Sequence, residues 1–274
     1  MTTTHDITTG TVEVEGVRLR YRERGTGAPV LLLHAGGFGE WFSRVFDEPA
    51  LDGVRLVEMQ RAGYGESSTP EGHVTFADHA RHARGLLRGL GIERATWVGH
   101  SSSASMALQG AIDAPGTVER LVLLEPAPSP AGPSAEELVR TAVGPAIGAA
   151  QAGDFRGATD AFMTGVCGPG WADLVRERLG ADAVERLLRD SRFFLTDEVV
   201  AAMEWPIDEP TAARVTAPTT LVYGDSPATT AHEETTRALA GWIPGAELVV
   251  LPGVGHAMTL EDPPAVARLI ADAM

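Results

Sequence analysis

Ala95-Thr96-Trp97-Val98-Gly99-His100-Ser101-Ser102-Ser103-Ala104 decides how the rest of this chain is read. An apolar, β-type run ends at Gly99, and small residues lead into a helical pattern that continues through Met106, Ala107, Leu108 and Ala111. A strand, a sharp turn and a helix form the setting in which a G-x-S-x-G elbow presents a serine hydroxyl above a sheet edge. Such a turn is tight, so the residues flanking the serine must be nearly free of side chain. Ser101 is the candidate nucleophile, and the backbone N–H of Ser102 points into the same space. The fifth position is Ser103 where glycine is usual, and Ala104 keeps the next position small.

Similar apolar runs recur on both sides of this stretch. Thr11–Val14 and Val17–Tyr21 alternate around Glu15-Gly16 and predict a hairpin. Pro29–His34, Val54–Glu58, Ala95–Gly99, Leu121–Glu125, Thr220–Tyr223 and Leu248–Leu251 are short continuous runs, as expected of strands covered on both faces. Helical patterns lie between them at Phe76–Leu90, Ser102–Ala114, Ala231–Trp242 and Pro264–Met274. Thr75 and Asp78 predict a capping box for the first, and Pro263-Pro264 suits the opening of the last. Strands alternating with helices imply a mostly parallel sheet with helices on both faces, an α/β architecture. From Pro126 to about Thr216 the alternation stops, and only helical pieces with Pro/Gly breaks remain. The expected organisation is a core of residues 1–126 and 217–274 with an inserted helical cap at 127–216.

Composition narrows the function. The 274 residues carry a net charge of −15, which disfavours nucleic acid and anionic membrane surfaces as partners. All 22 basic residues are arginine. Without lysine the chain has no amine for Schiff-base chemistry, a Walker-type phosphate loop or a Ser–Lys hydrolase. Its Ala/Gly/Arg-rich usage suggests a GC-rich bacterial genome. Cys167 is the single cysteine, which excludes an intramolecular disulfide and a cysteine-based zinc site. Met1–Gly10 shows no secretory pattern and reads as a frayed tail, and no run of 18 apolar residues occurs, so a cytoplasmic location is expected. His79 and His82 lie three apart on one helix, with no third ligand nearby, and are expected on a solvated face.

Five features fall in chain order: His34-Ala35-Gly36-Gly37-Phe38-Gly39, then Gln60-Arg61-Ala62-Gly63-Tyr64-Gly65-Glu66-Ser67, the Ser101 elbow, the insertion beyond Leu121–Glu125, and Leu251-Pro252-Gly253-Val254-Gly255-His256-Ala257-Met258. Together they resemble the α/β-hydrolase superfamily, in its single-domain form with a helical cap after the sixth strand. That resemblance implies an eight-stranded, mostly parallel sheet. It makes Ser101 the nucleophile and His256 the general base and acid, with an oxyanion hole from Gly36 and Ser102 and a share for Gly37. The acid departs from the commoner pattern. In Tyr223-Gly224-Asp225-Ser226-Pro227 the usual aspartate position is Pro227, which cannot orient an imidazole. Glu125, at the end of Leu121–Leu124, sits where a minority of the superfamily, some lactone hydrolases included, carries the acid. Glu125 is the first choice and Asp225 the second.

A serine nucleophile points to acyl transfer, on a small-to-medium, mainly apolar ester or lactone, through an acyl-enzyme. Dehalogenases and epoxide hydrolases of the superfamily attack with aspartate, which Ser101 disfavours. Thioester or C–C bond hydrolysis stays open. So does a non-hydrolytic role, as a ligand receptor or as an elimination or cyclisation catalyst in secondary metabolism, because fold does not dictate function. No cofactor or metal is expected, and a homodimer is left open. Phe38, His100, Phe162, Met163, Phe194, Trp205 and Met258 are the candidates for the pocket, His100 also reading as a packed structural histidine. The inserted segment holds 7 arginines against 14 carboxylates over residues 127–210, mildly disfavouring anionic substrates, with most of those charges expected in solvent.

Overall fold

A computed structural model describes residues 6–128 and 132–274. Eight strands form one sheet: β1 (Thr8–Val14), β2 (Val17–Arg24), β3 (Ala28–Leu33), β4 (Val54–Met59), β5 (Ala95–His100), β6 (Val118–Leu124), β7 (Thr219–Gly224) and β8 (Glu247–Leu251). Their spatial order is β1-β2-β4-β3-β5-β6-β7-β8. Pairings are antiparallel at β1·β2 and β2·β4, and parallel from there to β8. The β1–β2 turn has φ of +52° at Glu15 and +82° at Gly16, two positive values as a tight hairpin requires. Thr8–Gly10, expected in the frayed tail, pair with Tyr21–Glu23 and lengthen β1.

The central strands are apolar throughout because both faces are covered. Leu31, Leu33, Trp97, Leu121, Leu123 and Leu221 face one core, packed against helices Phe76–Gly89, Ser102–Asp113 and Ala231–Trp242. The alternate residues Val30, Leu32, Val98, Val122, Leu124 and Val222 face the other, with helix Pro263–Asp272 over them. A period of two along each strand thus feeds two cores at once. Helix Phe76–Gly89 starts at the expected capping box, with Thr75 Oγ1 accepting from the Asp78 N–H and the Asp78 carboxylate accepting from the Thr75 N–H. His79 and His82 are buried on this helix and not on a solvated face: His79 lies edge-on to Phe193 of the helices between β6 and β7, and His82 lies edge-on to His79.

Between β6 and β7 the described residues form helices only, from Pro133–Leu138 to Glu209–Ala212. Two π-helical turns interrupt them, Val139–Val143 and Phe194–Glu198. Such turns insert an extra residue and re-aim side chains, and they concentrate at functional sites.

Candidate active site

Ser101 sits between the end of β5 and the helix beginning at Ser102, with φ +56° and ψ −123°. A non-glycine residue in this region is strained, and strain of this kind is kept where surrounding structure over-determines it. Gly99 explains why the turn closes. A Cβ there would lie 2.3 Å from the Ser103 carbonyl oxygen and 2.7 Å from the Ala104 Cα, so only glycine lets the helix backbone come this close. Ser103, the unusual fifth residue of the elbow, is fully buried and donates its hydroxyl to the His34 carbonyl at 2.6 Å. It therefore ties the elbow to the loop after β3.

The Ser101 hydroxyl lies 3.1 Å from His256 Nε2, and His256 Nδ1 lies 2.6 Å from Glu125 Oε2. Residues 101, 125 and 256 come from the ends of three strands, at the edge of the sheet where α/β folds collect ligands. Glu125 leaves β6 with φ +43°, which swings its side chain across the end of β7. There its second oxygen accepts the Gly224 N–H at 2.9 Å. Burial pushes the His256 imidazole down to about 3, so the ring is neutral. With Nδ1–H donated to the carboxylate, Nε2 is left as the acceptor for a serine proton. The Asp225 carboxylate, by contrast, is exposed and accepts from the Gly253 N–H. The geometry brings Glu125, and not Asp225, to the imidazole.

Two further histidines frame this relay. His100 Nε2–H donates to the His256 carbonyl at 2.8 Å and holds the Gly-rich loop against the elbow. His232 stacks on the His256 ring at 3.8 Å with an 18° interplanar angle, its Nδ1–H donated to the Pro126 carbonyl. Burial lowers both rings to about 3, so they add no charge beside the relay. Ligand atoms of Glu125, His232 and His256 lie within 4.8 Å of one another, close enough for a shared ion. The 2.6 Å contact between two of them has the length of a hydrogen bond around a shared proton, which an ion would have to displace.

Ser102 begins its helix, so its N–H has no acceptor within that helix. Gly36 lies on the loop after β3, where a Cβ would stand 2.5 Å from the Phe194 ring. The Gly37 N–H is already taken, by the Tyr64 hydroxyl at 3.3 Å. Behind Gly36 and Ser102 lies a group absent from the expectations. Glu198, fully buried, accepts two bonds from Arg61 at 2.6 and 3.1 Å, one from Tyr64 at 2.7 Å and one from Ser102 Oγ at 2.7 Å. Burial raises its carboxyl, but Arg61 and the Ser102 and Tyr64 donors outweigh this and hold it below the usual range. Removing one partner of such a pair costs about 3–5 kcal/mol, because it strands the other charge.

A largely apolar cavity of ≈ 100 Å³ opens beside Ser101 and Ser102, walled by Leu138, Val143, Phe162, Phe194 and Val199. A smaller one of ≈ 20 Å³ lies on the Gly36 side, bounded by Trp41, His100, Met163 and Cys167. Phe162 and Phe194 stand between the two, and the π turns at 139–143 and 194–198 deliver Val143 and Phe194 to the walls. Phe38, Trp205 and Met258 do not line either space. Phe38 is fully buried edge-on to Trp41, Trp205 packs on Phe76 and donates to Gln109, and Met258 lies in the core on one sheet face. Each is apolar enough to be drawn into the core, which competes with a pocket for the same side chains.

Among curated proteins, the chain is 34% identical over 115 residues to the dihydrolipoyllysine-residue acetyltransferase component of the acetoin cleaving system of Cupriavidus necator, covering 42% of this chain and 31% of that one. It is 43% identical over 99 residues to epoxide hydrolase A of Mycobacterium tuberculosis, covering 34% of this chain and 30% of that one. The chain thus spans about a third of the length of the curated relatives it matches. Among solved structures it superposes on Est816, described as an N-acyl homoserine lactone degrading enzyme, with TM-score 0.76 and 25% identity, covering 97% of this chain and all of that one. A hydrolase from Pseudomonas aeruginosa gives TM-score 0.75 at 25% identity, covering 96% and 97%. No helix among the described residues is long and apolar enough to cross a membrane. Residues 30–269 match the model of the alpha/beta hydrolase family, and with the sheet order and the serine elbow in place, this chain belongs to that family.

Proposed function

We propose that the protein is a serine hydrolase that cleaves a small-to-medium, mainly apolar carboxylic ester or lactone through an acyl-enzyme. The observation that carries the reading is the continuous relay from the Ser101 hydroxyl through His256 to Glu125, at 3.1 and 2.6 Å. In this mechanism His256 Nε2 takes the serine proton as Oγ attacks the carbonyl carbon. The carbonyl oxygen becomes an oxyanion between the N–H groups of Gly36 and Ser102, and one such donor is worth about 10²–10³ in kcat. Collapse expels the alcohol, which receives the proton from His256, and leaves the acyl group on Oγ. A water then repeats the cycle from the same imidazole and releases the acid. Glu125 keeps Nδ1 protonated and compensates the imidazolium while it exists.

The apolar walls of the cavity beside Ser101 favour an alkyl or aryl acyl group. The lactone chemistry named for Est816 favours cyclic esters within the same class. The helices between β6 and β7 serve as the cap over this space. A serine at the elbow disfavours the aspartate chemistry of epoxide hydrolases despite the partial match to one.

A fluorophosphonate probe tests the reading directly. Intact-mass analysis is expected to show one adduct per chain, lost in Ser101→Ala, with turnover on a panel of p-nitrophenyl esters and lactones lost in parallel. A chain that takes no label at Ser101 overturns the hydrolase reading and favours a ligand receptor, which would still bind its ligand as the alanine variant.

A further inference from the structure

The two N–H donors assigned to the oxyanion sit on different segments, one on the loop after β3 and one at the helix after β5. Their spacing must be held by something that touches both. Ser103 ties the elbow to the His34 carbonyl, and a second link, through Tyr64 on one side and Ser102 on the other, comes from the inserted helices. Glu198 Oε1 accepts from Ser102 Oγ at 2.7 Å, on the residue whose N–H is one donor. Glu198 Oε2 accepts from the Tyr64 hydroxyl at 2.7 Å, and that hydroxyl in turn accepts the Gly37 N–H at 3.3 Å, next to the other donor. A Cβ on Gly36 would approach Glu198 Oε1 to 3.1 Å, so the carboxylate backs directly onto that turn. Arg61 anchors the carboxylate from the sheet side and is itself held by His34, its N–H on His34 Nε2 at 3.0 Å and its Nε on the His34 carbonyl at 3.1 Å.

From this geometry we infer that Glu198 is the positioning residue of the oxyanion hole. It sets the distance between the Gly36 and Ser102 donors from within the cap. The inference rests on the serine-hydrolase reading and adds a residue that touches no reacting atom. It also gives the cap a part in the chemistry, because the π turn Phe194–Glu198 puts Phe194 in the cavity wall and Glu198 behind the oxyanion donors. A carboxylate is suited to the task, since it is acceptor-only and can face Arg61, Tyr64 and Ser102 together. Glutamine would have to turn an NH₂ toward one of three donors.

The test uses Ser102→Ala and Tyr64→Phe, which cut the link on either side and leave the Arg61–Glu198 pair intact, together with Glu198→Gln. Sites are counted by fluorophosphonate mass labelling, so that misfolded chains drop out. The readouts are kcat per labelled site and KM on p-nitrophenyl butyrate, and Ki for an alkyl trifluoromethyl ketone, whose tetrahedral hemiketal adduct with the serine Oγ carries the oxyanion. Each variant is expected to lose about ten- to a hundredfold in kcat, since small misplacements of donors cost that much. KM should stay within about threefold, and the ketone should weaken in step with kcat/KM, as for interactions made only in the transition state. Ser102→Ala combined with Glu198→Gln should be no worse than Glu198→Gln alone, because both cut one link. Wild-type kcat per labelled site in Ser102→Ala and Tyr64→Phe, or a loss confined to KM, overturns the inference while leaving the hydrolase reading standing. A wild-type chain that takes no label overturns the reading beneath it as well.

Discussion

At Glu125 the chain does something a strand residue rarely does, turning to φ +43° immediately after β6. The turn is what lets a side chain leave the strand end sideways, over the Gly224 N–H and onto the His256 ring. Both carboxylate oxygens are then engaged, one fixing the acid and the other fixing the tautomer of the base. Glu125→Gln keeps the size but can present its NH₂ to Nδ1, which selects the wrong tautomer. It is expected to lower kcat by about 10³–10⁴-fold, as for the equivalent change in other triads. Asp225→Asn keeps the acceptor for Gly253 and should leave kcat within about threefold, a surface change of the ordinary kind. Steady-state kinetics on one p-nitrophenyl ester decide between them, and the opposite ranking would move the acid to Asp225.

At the scale of elements, the elbow depends on how closely a helix can approach the strand that feeds it. Gly99 faces backbone atoms of Ser103 and Ala104, which cannot rotate away as a side chain could. Gly99→Ala is therefore expected to lower stability by about 1–3 kcal/mol through overpacking and to slow fluorophosphonate labelling of Ser101 as the elbow shifts. Gly116→Ala is the control, because an added Cβ there meets nothing within 4 Å. Thermal melts and labelling rates of the two variants make the comparison, and equal behaviour would remove the steric account of the elbow. The inserted helices work differently. Their π turns are not required by any strand, and they serve to aim Val143, Phe194 and Glu198 inward from otherwise continuous helices.

For the whole molecule, the histidines decide how stability responds to acid. His34, His79, His82, His100, His232 and His256 are all held below the ordinary imidazole value of 6.5, in each case first by burial. The unfolded chain takes up protons on these rings near pH 6.5 while the folded chain does not. Stability therefore rises with pH through that window and falls as pH drops below it. Burial raises Glu58, Asp190 and Glu261, which pulls the other way at lower pH, nearer the carboxylate values. Between pH 7 and pH 5.5 the histidine effect should dominate, with Tm falling steeply and unfolding accompanied by uptake of more than one proton. A Tm that stays flat over that interval would show that these rings are not buried neutral.

Local rules carried the strands, the capping box and the elbow, because each is encoded by neighbours in the chain: apolar runs, a Thr75–Asp78 pair, small residues beside Ser101. The order of motifs then carried the family and pointed to Glu125, since the end of β6 is defined by the run before it. Glu198 had no such signal. It is one of 14 carboxylates over residues 127–210, and nothing within a few residues of it marks it as buried. The burial of His79 and His82, the engagement of Gly37 by Tyr64, and the loss of Phe38, Trp205 and Met258 to the core were hidden for the same reason. Periodicity tells which residues share a face, but what that face meets depends on contacts between segments far apart in the chain. A carboxylate's fate depends on whether an arginine more than a hundred residues away reaches it, and only the folded chain puts Arg61 there.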